Sequence, residues 1–124
     1  MRNDFSTKIR ETSMELDKRT QLKLMNTSTA VRLDKAISEG ERITIDPIGW
    51  AILDVHNEHA RDDKDYSQYV IMTETERYVT GSNSFWNSFM DIWEVMDGEP
   101  FEIEIYKMPS KNYEGKSFLT CDIV

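Results

Sequence analysis

Cysteine is nearly absent from this chain, and the usual marks of membrane insertion and of catalysis are missing too. The single Cys121 excludes an internal disulfide and any multi-cysteine zinc site. It lies in an alternating apolar run, where a small buried thiol is expected rather than a nucleophile. No apolar stretch near the N-terminus has the form of a signal peptide, and none approaches membrane-spanning length, which predicts a cytoplasmic protein with no membrane partner. There is no Gly-rich phosphate cradle and no Gly-x-Ser-x-Gly turn. Both histidines, His56 and His59, stand in one acidic loop, HNEHARDDKD, which is expected to be solvated rather than metal-binding. Catalysis needs a base, a nucleophile or a metal fixed by its neighbours. None is legible, so a non-catalytic protein without cofactor or metal is expected.

Positive charge is scarce and unevenly placed. The 124 residues carry a formal net charge of −8. Residues 1–40 hold eight Lys/Arg against six Asp/Glu, whereas residues 41–124 hold seven against seventeen. That balance argues against broad duplex binding, which depends on neutralising phosphates. It leaves room for a local basic groove on an acidic body.

What is present reads as a small mostly-β domain with an N-terminal addition. Residues 1–26 contain no Gly or Pro and carry a broken apolar stripe of Phe5, Ile9, Leu16, Leu22 and Met25. They predict a weakly amphipathic helix or a tail, so residues 1–28 are assigned to an N-terminal helical extension and residues 29–124 to the domain. A short helix is expected over 28–39, carrying Val31, Leu33 and Ile37 and ending at Gly40.

From residue 41 the pattern changes to strand. ERITIDPIGWAILDV alternates apolar and polar residues and is interrupted at Pro47 and Gly49, which predicts a long first strand with a sharp bend. YSQYVIMT and RYVT, joined by ETE, predict a hairpin over 66–80. SNSFWNSFMDIWEVMDG predicts a helix capped by Ser82 or Ser84, with Phe85, Phe89, Ile92, Trp93 and Met96 on one face and Gly98 at its stop. PFEIEIYKM and KSFLTCDIV predict the last two strands. Five strands with one helix between the third and fourth is the layout of a five-stranded OB-fold barrel.

In that layout the loops 55–66 and 108–117 flank a groove on the face of strands two and three. The residues available to it are Trp50, Tyr66, Tyr69, Arg77 and Tyr78, with Lys107, Lys111, Asn112, Tyr113 and Lys116 from the late loop. Flat aromatic platforms and spaced cations are what a single-stranded nucleic acid requires. Core and groove remain equally open for Trp50, Tyr69 and Tyr78. The alternative class is an acidic protein-binding module, a DNA mimic or inhibitor of a host protein. Convergence of the lysines and Arg77 on one groove would favour the nucleic-acid reading, and rows of carboxylates with scattered lysines the mimic.

Two blocks carry a family likeness. RYVTGSNSFWNSFMDIWE and PSKNYEGKSFLTCDIV resemble the small single-stranded-DNA-binding proteins of tailed phages and mobile elements of Gram-positive bacteria, through Tyr78, Thr80, Ser82, Asn83, Ser84 and Phe85, then Ser110, Lys111, Asn112, Gly115, Phe118, Thr120 and Cys121. The resemblance covers the second half well, residues 29–73 loosely, and residues 1–26 not at all. It implies an OB-fold protein of the bacterial host cytoplasm that coats transient single strands in replication or recombination. Lys111 and Asn112 would meet the phosphate backbone, and Tyr113 would cap a base. The N-terminal segment is then a candidate surface for homo-oligomer formation or for a replication protein.

Overall fold

A computed structural model describes residues 5–38, 40–59, 64–109 and 117–124. The chain is mostly β, with eight strands and three short helices among the described residues. They run β1 (Phe5–Thr12), α1 (Lys18–Met25), β2 (Val31–Arg32), α2 (Leu33–Ala36), β3 (Arg42–Ile45), β4 (Gly49–Asn57), β5 (Asp65–Met72), β6 (Arg77–Thr80), α3 (Asn83–Met96), β7 (Ile103–Pro109) and β8 (Ser117–Ile123). One sheet has the order β1-β4-β5-β6-β2 and the other β3-β7-β8. Both are open, and no barrel is closed among the described residues. No described helix is long and apolar enough to cross a membrane.

The bend foreseen at Pro47 divides the long first strand between the two sheets. β3 pairs antiparallel with β7, with Ile45 opposite Ile103, while β4 pairs with β5, with Gly49 opposite Met72. Gly49 leaves room for the Met14 side chain, which a Cβ there would meet and push aside. The segment 12–14 seals this point, since Ser13 Oγ accepts from the Trp50 N–H at 2.9 Å and Thr12 Oγ1 donates to the Trp50 carbonyl at 2.7 Å.

Alternation sends the side chains of β4 and β5 into two different cores. Trp50 and Ile71 join Ile45, Ile103, Ile105, Leu119 and Cys121 between the two sheets, together with Phe85, Trp86 and Phe89 of α3. Ala51, Leu53, Val55, Val70, Met72 and Val79 face the other way and form a second core with Leu24. Burial on both faces explains why GWAILDV reads as a nearly continuous apolar run.

The N-terminal segment departs from expectation. Residues 5–12 are a strand, not a helix, antiparallel to β4 with Lys8 opposite Asp54 and a bulge between Ile9 and Glu11. The local sequence is permissive for helix, but β4 offers an unpaired edge, and pairing with it satisfies backbone groups while Ile9 packs against the second core. Lys18–Met25 is the segment's α-helix, with Asp17 accepting from the Thr20 N–H at 2.7 Å as its N-cap, and Thr27–Thr29 forms a 3₁₀ turn. The extension is thus part strand and part helix. The short helix expected over 28–39 is reduced to Leu33–Ala36, preceded by β2, which runs parallel to β6.

α3 begins where predicted. Ser82, not Ser84, is its cap, accepting from the Phe85 N–H at 3.2 Å. It ends at Asp97 in the left-handed region (φ 45°), with Gly98 also at positive φ. Its deeply buried side chains are Phe85, Trp86 and Phe89. Ile92 and Trp93 are only half-buried, because the helix enters the core through its N-terminal half.

Candidate nucleic-acid interface

The residues expected to line a groove separate into distinct surroundings. Trp50 is buried, 8% exposed, and meets Trp86 edge-to-face at 5.9 Å between ring centroids. It is a core residue and offers no platform to a base. Tyr69 lies over Trp86 at 4.8 Å in a stacked arrangement, and its hydroxyl donates to Asn83 Oδ1 at 2.5 Å. Tyr78 is half-buried and packs against the main core.

Arg77 is committed to structure. Its guanidinium donates to the carbonyls of Lys23 (2.5 Å) and Asn26 (2.9 Å) and to Thr29 Oγ1 (2.6 Å). Carbonyls at a helix C-terminus lack intrahelical partners and carry partial negative charge, so a cation there anchors α1 to β6. Leu24 of α1, fully buried, seats on the same face, against the cluster containing Val70, Met72 and Val79. The face of the β5–β6 hairpin that carries Arg77 is therefore covered by the chain's own N-terminal helix, while Tyr69 and Tyr78 lie on the opposite face. Sequence reasoning missed this because the apolar stripe drawn through Leu16, Leu22 and Met25 leaves Leu24 out.

Lys107 turns to α2, where its ammonium donates to the Asp34 carbonyl at 2.8 Å. Arg77 and Lys107 accordingly do not meet in one groove. Lys111, Asn112, Tyr113 and Lys116 lie outside the described residues, as do Ser110 and Gly115.

Tyr66 is placed differently. It is 38% exposed at the rim of an open pocket of about 450 Å³ formed by β1, β4 and β5; it shares the face of Val55, whereas Lys8, Arg10, Asp54, His56 and Asp65 share the opposite face with Ser67 and Tyr69. The β1–β4 pairing delivers Lys8 and Arg10 to this place, the bulge turning Arg10 toward Asp54 and toward Ser67 Oγ at 3.0 Å. Hydrogen bonding from Arg10 holds the Asp54 carboxyl below its ordinary range. His56 stands between Asp65 and Glu58, 2.6 Å from each through its two ring nitrogens. These bonds, that to Asp65 foremost, raise its pKa above the ordinary imidazole value. A protonated His56 donates from both nitrogens, so the pocket gains a third cation beside Lys8 and Arg10. Lys8 and Arg10 went unrecognised in the sequence because a helical reading of residues 1–26 gives them no relation to β4 and β5.

The outer face of the second sheet carries another aromatic–cation pair. The Arg42 guanidinium sits 4.2 Å from the Tyr106 ring centroid and pairs with Glu104, and the Tyr106 hydroxyl donates to Asp122. These groups satisfy one another. Of the described surfaces, the face of Lys8 and Arg10 best combines a partly exposed aromatic with positive charge, because Tyr69 follows Ser67 on that face, and Lys8 forms no ion pair among the described residues.

Comparison with family models, with curated proteins and with solved structures found no match to this chain.

Proposed function

We propose that this chain is a non-catalytic, cytoplasmic single-stranded-DNA-binding protein of OB type, acting in phage or mobile-element replication or recombination. Its connectivity supports the reading. A bent first strand is shared between two sheets, its two halves pair with the second and fourth strands, and a helix joins the third to the fourth. In this reading β1, α1, β2 and α2 are additions around that unit.

The observation that carries the proposal is the gathering of Lys8, Arg10 and the partly exposed Tyr69 on one face of β1, β4 and β5 in an otherwise acidic chain. An aromatic ring stacks an unpaired base whatever its identity, and the adjacent cations neutralise the flanking phosphates. The pocket lies at the ends of β4 and β5 that lead into residues 58–64, the connection that borders the groove in this fold.

The test is fluorescence anisotropy of an end-labelled oligothymidine, with a duplex of equal length as comparison. Label on the DNA is preferable to intrinsic tryptophan emission, since Trp50 and Trp86 are buried. The single strand is expected to bind and the duplex to bind far more weakly. Tyr69→Ala should cost about 1–3 kcal/mol of binding, and Lys8→Ala should lower the salt slope by about 0.7 for each phosphate left without its cation. Unchanged affinity and slope in both variants would refute the site.

A further inference from the structure

At the opposite ends of β4 and β5 lies an open groove of about 900 Å³. Three connections build it: the bend between β3 and β4, the turn between β5 and β6, and the link from α3 to β7. Its apolar lining is Pro47, Ile48, Tyr78, Pro100 and Phe101, and its acidic members are Asp46, Glu74 and Glu102. Among the described residues no Lys or Arg lines it.

Two features meet in this groove. First, its carboxylates are uncommitted. Asp54, Glu58, Asp65, Glu104 and Asp122 are each tied to a cation, a histidine or a phenol. Asp46, Glu74 and Glu102 form no ion pair or side-chain hydrogen bond among the described residues. Second, the groove presents apolar surface beside them. Ile48 is 47% exposed, held in place by the bend and by its N–H donating to the Met72 carbonyl at 2.8 Å. Phe101 is braced edge-to-face by Trp93 at 6.0 Å.

We propose that this groove docks a short basic segment of a partner protein, its aliphatic side chains on Ile48, Tyr78 and Phe101 and its Arg or Lys side chains on Asp46, Glu74 and Glu102. Each part of that occupant answers something in the groove. Unpaired carboxylates repel a phosphate backbone and attract cations, and the surplus of ten negative charges over residues 41–124 steers a cationic partner toward the surface. The three carboxylates come from three separate connections, so the cations they meet must be spaced along a ligand. No group of three or more His, Cys, Asp or Glu among the described residues is arranged to hold a metal ion, which leaves side-chain ammonium and guanidinium groups as the matching cations. The apolar floor distinguishes a peptide from a simple polyamine. This surface is independent of the face of Lys8 and Arg10, and one molecule can use both.

The experiment is anisotropy of a labelled peptide of alternating arginine and valine, with a glutamate–valine peptide and spermine as comparisons. The arginine–valine peptide is expected to bind, and the double variant Glu74→Lys/Glu102→Lys to weaken it about tenfold or more. A charge-matched double variant on the exposed side of α3, Asp91→Lys/Glu94→Lys, is expected to stay within about twofold of the unaltered chain. Circular dichroism of both variants verifies that the fold is retained. Absence of binding, equal weakening in the two double variants, or full displacement of the peptide by spermine at matched charge concentration would each overturn the proposal. Self-association of the chain that Glu74→Lys/Glu102→Lys abolishes would assign the groove to a second copy and overturn it as well.

Discussion

Leu24→Ala is the sharpest probe of how the N-terminal segment is held. Leu24 is fully buried, while its neighbour Leu22 is 67% exposed, so one side chain supplies the apolar seat of α1. The substitution removes three carbons from the second core. At about 0.8 kcal/mol per buried methylene the transfer loss is about 2.4 kcal/mol, and the residual cavity raises the expected cost to about 3 kcal/mol. Alanine's helix propensity returns only a few tenths of that. Arg77→Ala attacks the same seat from the polar side by removing the donor that anchors the α1 C-terminus, and it should cost about 1–2 kcal/mol after allowance for the partial exposure of the guanidinium. Arg77 binds the carbonyl of Lys23, the residue next to Leu24, so both substitutions act by unseating one helix. Their effects should therefore fall short of additivity by more than about 0.5 kcal/mol. Urea unfolding followed by far-ultraviolet circular dichroism measures all three variants. A cost below about 1 kcal/mol for Leu24→Ala, or additivity within about 0.3 kcal/mol, would refute the seating of α1 on the β5–β6 face.

Further outcomes rest on individual groups. His56 has its pKa raised by Asp65 and Glu58, so its stabilisation is complete below about pH 6.5 and is lost as pH rises through the raised folded-state value. The difference in melting temperature between the native chain and His56→Gln should thus shrink with rising pH; a difference that grows would contradict the imidazolium bridge. Asp97 places a carboxylate at the α3 C-terminus, where the helix dipole disfavours it and no basic residue stands in the last turn. Asp97→Asn keeps tolerance for positive φ and should stabilise by about 0.3–1 kcal/mol in thermal unfolding, with destabilisation refuting the cap assignment. Burial pushes the Cys121 thiol up to about 12, so Ellman's reagent should label it only on unfolding. Rapid labelling of the native chain would show that the β7–β8 side of the core is open.

Much of the second half was legible in the sequence, because its elements are specified by short-range rules. The strict alternation of FEIEIY places Ile103 and Ile105 in the core, and Ser82 with Gly98 delimits α3. Pro47 marks the bend at which one strand serves two sheets. These signals act through neighbouring backbone geometry and need no distant partner.

The N-terminal strand and the placement of the aromatics were decided only in three dimensions. The alternation of Phe5, Thr7 and Ile9 permits a strand over Phe5–Thr12 and the open edge of β4 decides it; that pairing brings Lys8 and Arg10 to the face of Ser67 and Tyr69. Trp50 reads as readily for a groove as for a core. Its fate is settled by Trp86, which arrives from α3 to meet it, and Arg77 is diverted to α1 because Leu24 seats that helix nearby. Strand periodicity fixes which face a side chain takes, but what covers that face depends on packing between residues far apart in the chain, and that is settled by the free energy of the whole.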